Sequence, residues 1–158
     1  PGTATTCVVE GSRAFLVPIQ ALSSKTYFGY PQRKAIGIDV NRLGLLVAVL
    51  SKRLGLNLGD QDIHVNVVGG LKIIEPACDL AVCAAILSSY KNKPLEQGSV
   101  FVGEVGLTGE VRSVSHIEKR LKEAEKLGFK IAYIPKQSKK ITSSIQLVEV
   151  ATLRDLEV

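Results

Sequence analysis

Glu75-Pro76-Ala77-Cys78-Asp79-Leu80-Ala81-Val82-Cys83-Ala84-Ala85-Ile86 (residues 75–86) is the stretch on which the reading of this chain turns. Proline holds φ near the helical value and lacks only an N–H that a helix's first turn leaves unused, so Pro76 predicts a helix start, with the helix running from Ala77 to about Tyr90. Ala81, Ala84, Ala85 and Ile86 are small or apolar around most of its circumference, which predicts a deeply packed helix. Upstream, residues 63–68 alternate His64 and Asn66 with apolar residues and end in Gly69-Gly70, the pattern of a half-buried strand entering a turn. Before that, Leu43, Leu46, Val47, Leu50 and Leu54 recur at helical spacing from Asp39 onward, with Gly55 as a C-cap and Arg42, Lys52 and Arg53 off the apolar face.

The same reasoning extends to both ends. Residues 6–9 and 14–19 form two β-rich runs around Glu10-Gly11-Ser12 and predict a hairpin, while residues 23–37 mix Gly, Pro, aromatics and Arg33-Lys34 and predict an irregular loop. Downstream, residues 100–102 and 110–112 flank Gly106-Leu107-Thr108-Gly109 as strand, turn and strand. A third helix is expected over 117–127 with Gly128 at its end, then strands at 131–134 and 145–150 and a short helix from Leu153. Strands and helices without regular βαβ alternation from the start predict an α+β fold of mixed α/β layers.

With 158 residues and 46% hydrophobic residues, the chain is long enough for one good core, so residues 1–158 are expected to form a single domain. No apolar run reaches the roughly 18–20 residues that span a bilayer, and the start lacks the basic-then-apolar character of a signal peptide; a soluble, cytoplasmic protein with no membrane partner is expected. Three cysteines, Cys7, Cys78 and Cys83, lack paired zinc-site spacing and are read as reduced thiols. Two histidines and no clustered carboxylates argue against a metal site, and the GxxxxGK[ST] phosphate loop is absent despite Gly69-Gly70 and Lys72, so no cofactor is expected in this chain. Twenty Lys plus Arg against fifteen Asp plus Glu leave a net charge of +5, which suits an anionic partner without requiring one.

Several motifs in fixed order carry the reading further. Phe28-Gly29-Tyr30-Pro31-Gln32-Arg33-Lys34, Gly37-Ile38-Asp39-Val40-Asn41-Arg42-Leu43, Val65-Asn66-Val67-Val68-Gly69-Gly70, the 75–82 block, and Gly103-Glu104-Val105-Gly106-Leu107-Thr108-Gly109-Glu110-Val111-Arg112 with Leu127-Gly128-Phe129-Lys130 together resemble the C-terminal Lon protease-like domain of the RadA/Sms DNA repair and recombination family. The resemblance covers about residues 3–156 and implies a Lon peptidase-type fold, ribosomal protein S5 domain 2-like. It also implies a longer chain whose zinc motif and RecA-like ATPase domain, holding Zn, ATP and Mg, lie outside these residues. A homo-oligomeric ring, taken as a hexamer, DNA, the protein's own ATPase domain and the RecA recombinase are the implied partners. A bacterial cytoplasm is favoured over a plant organelle.

Lon peptidases use a serine near a helix start and a lysine on a following helix. By motif alignment the serine falls on Cys78 and the lysine on Glu118. A carboxylate cannot act as the neutral amine that accepts the nucleophile's proton, so the inherited mechanism is expected to be absent. A thiol at a helix N-terminus can be acidified, which keeps open a hydrolase using Cys78 with His116 or Lys119 as base; the buried structural cysteine is the favoured alternative. For DNA, Arg33, Lys34, Arg42, Lys52 and Arg53 form the preferred backbone-contact set, weighed equally against an ordinary solvated face or subunit contacts, and Lys136, Lys139 and Lys140 form a weaker second cluster. An oligomerisation scaffold without DNA affinity is the other alternative.

Overall fold

The computed structural model describes residues 1–156 and 158. Strand β1 (Thr3–Glu10) turns at Gly11 into β2 (Arg13–Lys25), so the expected hairpin forms and its second strand is longer than the apolar run alone indicates. Strand β3 (Arg33–Ile36) then leads to helix α1 (Val40–Leu54) and β4 (Gln61–Val67). A 3-10 turn (Pro76–Cys78) runs into helix α2 (Asp79–Tyr90), followed by β5 (Ser99–Phe101) and a small ribbon of β6 (Glu104–Val105) and β7 (Val111–Arg112). Helix α3 (Ile117–Lys126), β8 (Ile131–Pro135), β9 (Gln146–Val150) and a closing 3-10 turn (Leu153–Asp155) complete the order.

Seven strands make one mixed sheet in the order β3-β4-β2-β1-β5-β8-β9. The β1–β2 and β2–β4 pairs are antiparallel, and β3–β4, β1–β5, β5–β8 and β8–β9 are parallel. Side chains of a strand alternate between faces, so β1 sends Ala4 and Val8 to one side and Cys7 to the other. On the first side α1 and α2 bury Leu43, Leu46, Leu50, Leu80 and Ile86 against Ile19, Ile63 and Val65. On the second, α3 packs Leu121 and Ala124 against Val100, Val102, Ala132 and Ile134. The result is the layered α+β architecture that the element pattern predicts.

Both principal helices form where their patterns place them. Asp39 caps α1 by accepting the Asn41 N–H at 3.2 Å, and Gly55 ends it in the left-handed region at φ 66°. Every residue of α2 from Asp79 to Ser88 is buried, as a helix apolar on all sides requires.

Two expectations are corrected. The segment 23–37 is not one irregular loop, because β2 continues to Lys25 and residues 33–36 pair in parallel with β4, leaving 26–32 as the irregular part. A four-residue edge strand is too short to show an alternation of its own, and its pairing partner lies some thirty positions away in the chain (Arg33 with Ile63). The Gly106–Gly109 turn does not join a strand at 100–102 to its neighbour either: β5 belongs to the main sheet and the turn closes the separate β6–β7 ribbon. Gly37, at φ 91°, sits where the chain leaves β3 for α1, and a Cβ there would lie 2.5 Å from the Cβ of Val67.

The sheet is not covered equally. Leu22 and Lys34 flank His64 in register, and Gln20 and Ile36 flank Asn66, on the face away from α1. No helix lies over these side chains among the described residues, and they line a groove of about 750 Å³ with Leu22, Ile36 and Val40 exposed.

Candidate functional site

The position that aligns with a Lon serine lies in a cleft of about 470 Å³ lined by Asp39, Arg42, Lys72, Glu75, Cys78, Asp79 and Glu104. Cys78 ends the 3-10 turn immediately before α2, as expected for a nucleophile at a helix start, but it is only 6% exposed and its thiol donates to the Glu75 carbonyl at 3.4 Å. Burial, reinforced by the Asp79 and Glu75 carboxylates, pushes the thiol up to about 12. The helix N-terminus that could acidify a thiol is outweighed by this burial and by the buried acid that begins the helix.

Asp79 shapes this cleft. It accepts the Val105 N–H at 3.0 Å and two N–H groups of Arg42, one from Nε at 3.1 Å and one from Nη2, while Arg42 also donates to the Val105 carbonyl at 3.2 Å. Burial pushes the Asp79 carboxyl up against the pull of Arg42 and the Val105 N–H, and the hydrogen bond to Asp79 holds Arg42 above its ordinary value. A guanidinium fixed in this fork joins α1, α2 and the β6–β7 ribbon. It has no neutral form with which to take up a proton.

The partner position is elsewhere. Glu118 is exposed in the first turn of α3, and with His116, Lys119 and Lys122 it lines a separate surface depression to which Cys78 does not contribute. His116 is exposed at the helix start with φ 55°. The buried cation of α3 is Arg120, 2% exposed, which donates to the Cys7 carbonyl at 2.7 Å, the Ser115 carbonyl at 2.9 Å and the Glu75 carboxylate. Sequence reasoning missed Arg120 because α3 is densely charged; its place in register with Leu121 and Ala124 was the available signal.

Thiol chemistry tests this description. Cys7 and Cys78 are both pushed up to about 12 by burial, and Cys83 is also raised and fully buried. The native chain should therefore consume almost no disulfide reagent between pH 7 and 9, and all three thiols should react once denaturant is added. Because the folded values lie above the unfolded one, their contribution to stability is complete below pH 9 and is lost as pH rises toward 12. Fast stoichiometric labelling of native Cys78 at pH 7 would contradict the burial.

The five basic residues separate into two groups. Arg33 donates to the carbonyls of Leu58, at 3.0 Å, and Gln61, and Arg42 is held by Asp79, so both guanidiniums serve the domain's own structure. Lys34 is exposed on the uncovered face of β3, whereas Lys52 and Arg53 are exposed in the last turn of α1, on the other side of the sheet. Arg53 donates to the Leu107 carbonyl at 3.3 Å. Among the described residues, ion pairs with Asp or Glu are formed by Arg42, Arg112 and Arg120 only, which leaves Lys34, Lys52 and Arg53 without an acidic partner. Lys136, Lys139 and Lys140 lie in the exposed segment between β8 and β9. No helix among the described residues is long and apolar enough to cross a membrane.

The family described as Subunit ChlI of Mg-chelatase matches residues 45–138, and the chain belongs to it. As its motifs imply, the chain is also similar to proteins named DNA repair protein RadA. It is 56% identical over 134 residues to the DNA repair protein RadA of Bacillus subtilis, 48% over 155 residues to that of Listeria monocytogenes and 46% over 158 residues to that of Streptococcus pneumoniae. These alignments take in 85%, 96% and 98% of this chain but 29%, 34% and 38% of the respective relatives.

Proposed function

We propose that this chain is a non-catalytic Lon-like module of a RadA-type DNA repair and recombination protein, contributing ring assembly and sequence-independent DNA contact. ATP-driven work on recombination intermediates then belongs to a RecA-like ATPase domain in the rest of the protein, which would also hold ATP, Mg and Zn. The observation that carries the reading is the division of the cations. Arg42 and Arg120, the guanidiniums nearest the expected dyad positions, are locked into structure, whereas Lys34 on β3 and, on the other side of the sheet, Lys52 and Arg53 at the end of α1 keep their charge toward solvent.

Exposed cations without acidic partners are suited to phosphate contact, which is strong at low salt and indifferent to sequence. Arg33 and Arg42 support that surface without facing DNA themselves. For assembly, the support is the half of the sheet left uncovered, with Leu22, Ile36 and Val40 exposed beside it. A homo-hexameric ring in a bacterial cytoplasm, working beside the RecA recombinase, is the arrangement implied by kinship with RadA. The rival hydrolase reading is disfavoured by the buried, protonated Cys78 and by a His116 and Glu118 that line a different depression.

Fluorescence-anisotropy titration of a labelled duplex at low salt tests the DNA half. Replacing Lys34, Lys52 and Arg53 together with alanine should weaken binding by about tenfold or more, equally for unrelated sequences and without change in solution mass. Unchanged affinity in that variant would remove DNA contact from this surface and favour a scaffold.

A further inference from the structure

Residues 26–32 form an exposed loop held firmly at both ends. Asp62 accepts the Thr26 hydroxyl at 2.9 Å and the Gln32 N–H at 2.7 Å, the Thr26 N–H donates to the Asp60 carbonyl at 2.7 Å, and the Gln32 carbonyl accepts the Ile63 N–H at 2.9 Å. Between these anchors three rings stand almost fully in solvent: Tyr27 is 79% exposed, Phe28 93% and Tyr30 88%. The chain has four Tyr and four Phe, and the other five are buried or half-buried, so the exposed rings are concentrated in this one short segment. None of the three stacks on another ring among the described residues.

The charge around the loop selects an occupant. Residues 11–38 contain no Asp or Glu, and the exposed Lys25 and Lys34 lie at the two flanks. Of the two acids at the loop's base, Asp62 is turned onto the loop's own ends and Asp60 has one carboxylate oxygen buried. A basic surface would bring like charges together, and a purely apolar partner would leave the lysines unanswered. A single strand of DNA answers both, since its bases present free π-faces to aromatic rings while its phosphates meet lysines; a duplex keeps those faces inside its stack and offers phosphates alone.

The geometry points to a single-strand-specific stacking platform on the 26–32 loop, in which Tyr27, Phe28 and Tyr30 stack successive bases and Lys25 and Lys34 hold the adjoining phosphates. This rests on the proposed DNA-contact role and adds to it a preference for unpaired strands, supplied by rings rather than by charge. Pinning by Asp62 matters here, because rings on a preordered loop lose less freedom on binding.

The chain contains no tryptophan, so Phe28→Trp introduces a single indole at the centre of the platform. Titrated with oligo-dT, the F28W protein should show saturable quenching of its indole emission. Tyr27→Ala, Phe28→Ala and Tyr30→Ala should each weaken oligo-dT binding by about 5- to 100-fold, with duplex affinity, salt slope and melting temperature unchanged. If all three alanine variants bind oligo-dT as wild type and F28W emission does not respond, the platform is overturned even where duplex binding remains salt-sensitive and the basic-surface reading stands. Indole emission that changes with protein concentration and not with oligo-dT would assign the loop to a contact between copies, which also overturns it. Failure of the wild-type chain to bind either nucleic acid at low salt would remove both readings together.

Discussion

Replacing Arg120 with alanine should lower the unfolding free energy of this chain by about 4 kcal/mol, more than any other single charge removal. The side chain is 2% exposed and reaches from α3 to three acceptors: the Cys7 carbonyl in β1, the Ser115 carbonyl at the helix start, and the Glu75 carboxylate just before the Pro76 turn. Its removal leaves a half-buried carboxylate and two carbonyls without their donor and opens space beside Leu121 and Ala124. Arg120→Met, which refills much of the volume without leaving a buried charge of its own, should recover part of the loss. Lysine should do worse than the similarity of charge suggests, since one ammonium cannot reproduce a planar fork aimed at three oxygens. Urea denaturation gives the answer directly: a cost below about 1 kcal/mol would mean that the three contacts do not hold the fold.

The second large effect falls on Asp79. Asp79→Ala should cost about 3 kcal/mol, because it leaves the Val105 N–H and the Arg42 guanidinium without their shared acceptor at the junction of α1, α2 and the β6–β7 ribbon. Arg42 is about one third exposed, so water recovers part of its solvation and keeps the figure below that for Arg120. Removing Arg42 instead gives a distinctive pH signature. Burial already pushes the Asp79 carboxyl up, and without its partner that shift must grow. A raised folded value means that stability is fully present at low pH and is lost as pH rises through that value. Arg42→Ala should therefore gain stability relative to wild type on mild acidification. Glu110 runs the opposite way: its hydrogen bonds to Thr108 and Arg112 hold it near 2, so what it contributes is present at neutral pH and lost on strong acidification.

These two ion pairs mark the boundary of what the sequence discloses. The ends of α1 are legible because Asp39 and Gly55 act locally, through a cap and a left-handed residue, and the burial of α2 follows from its three alanines and Ile86. β3 escapes because its only regular feature is a pairing with β4 remote in the chain. The resemblance alone gives the expected dyad positions Cys78 and Glu118, but it does not disclose that Arg42 answers Asp79, since their meeting depends on how α1 and α2 cross. Likewise Arg33 and Lys34 are adjacent and chemically alike in sequence, yet pleating sends one toward the carbonyls of Leu58 and Gln61 and the other into solvent. A charge count cannot make that distinction. The aromatic loop is readable as composition only; its exposure depends on the anchors supplied by Asp62.

The ionic-strength dependence of DNA binding by the wild-type chain tests the central claim most directly, because counterion release counts the phosphates that cations meet. Two to four such contacts predict that the logarithm of the association constant falls with the logarithm of salt concentration at a slope of about −2 to −4, on unrelated sequences alike. No binding at low salt, or binding with a flat slope, would contradict the account and favour the scaffold reading without DNA affinity.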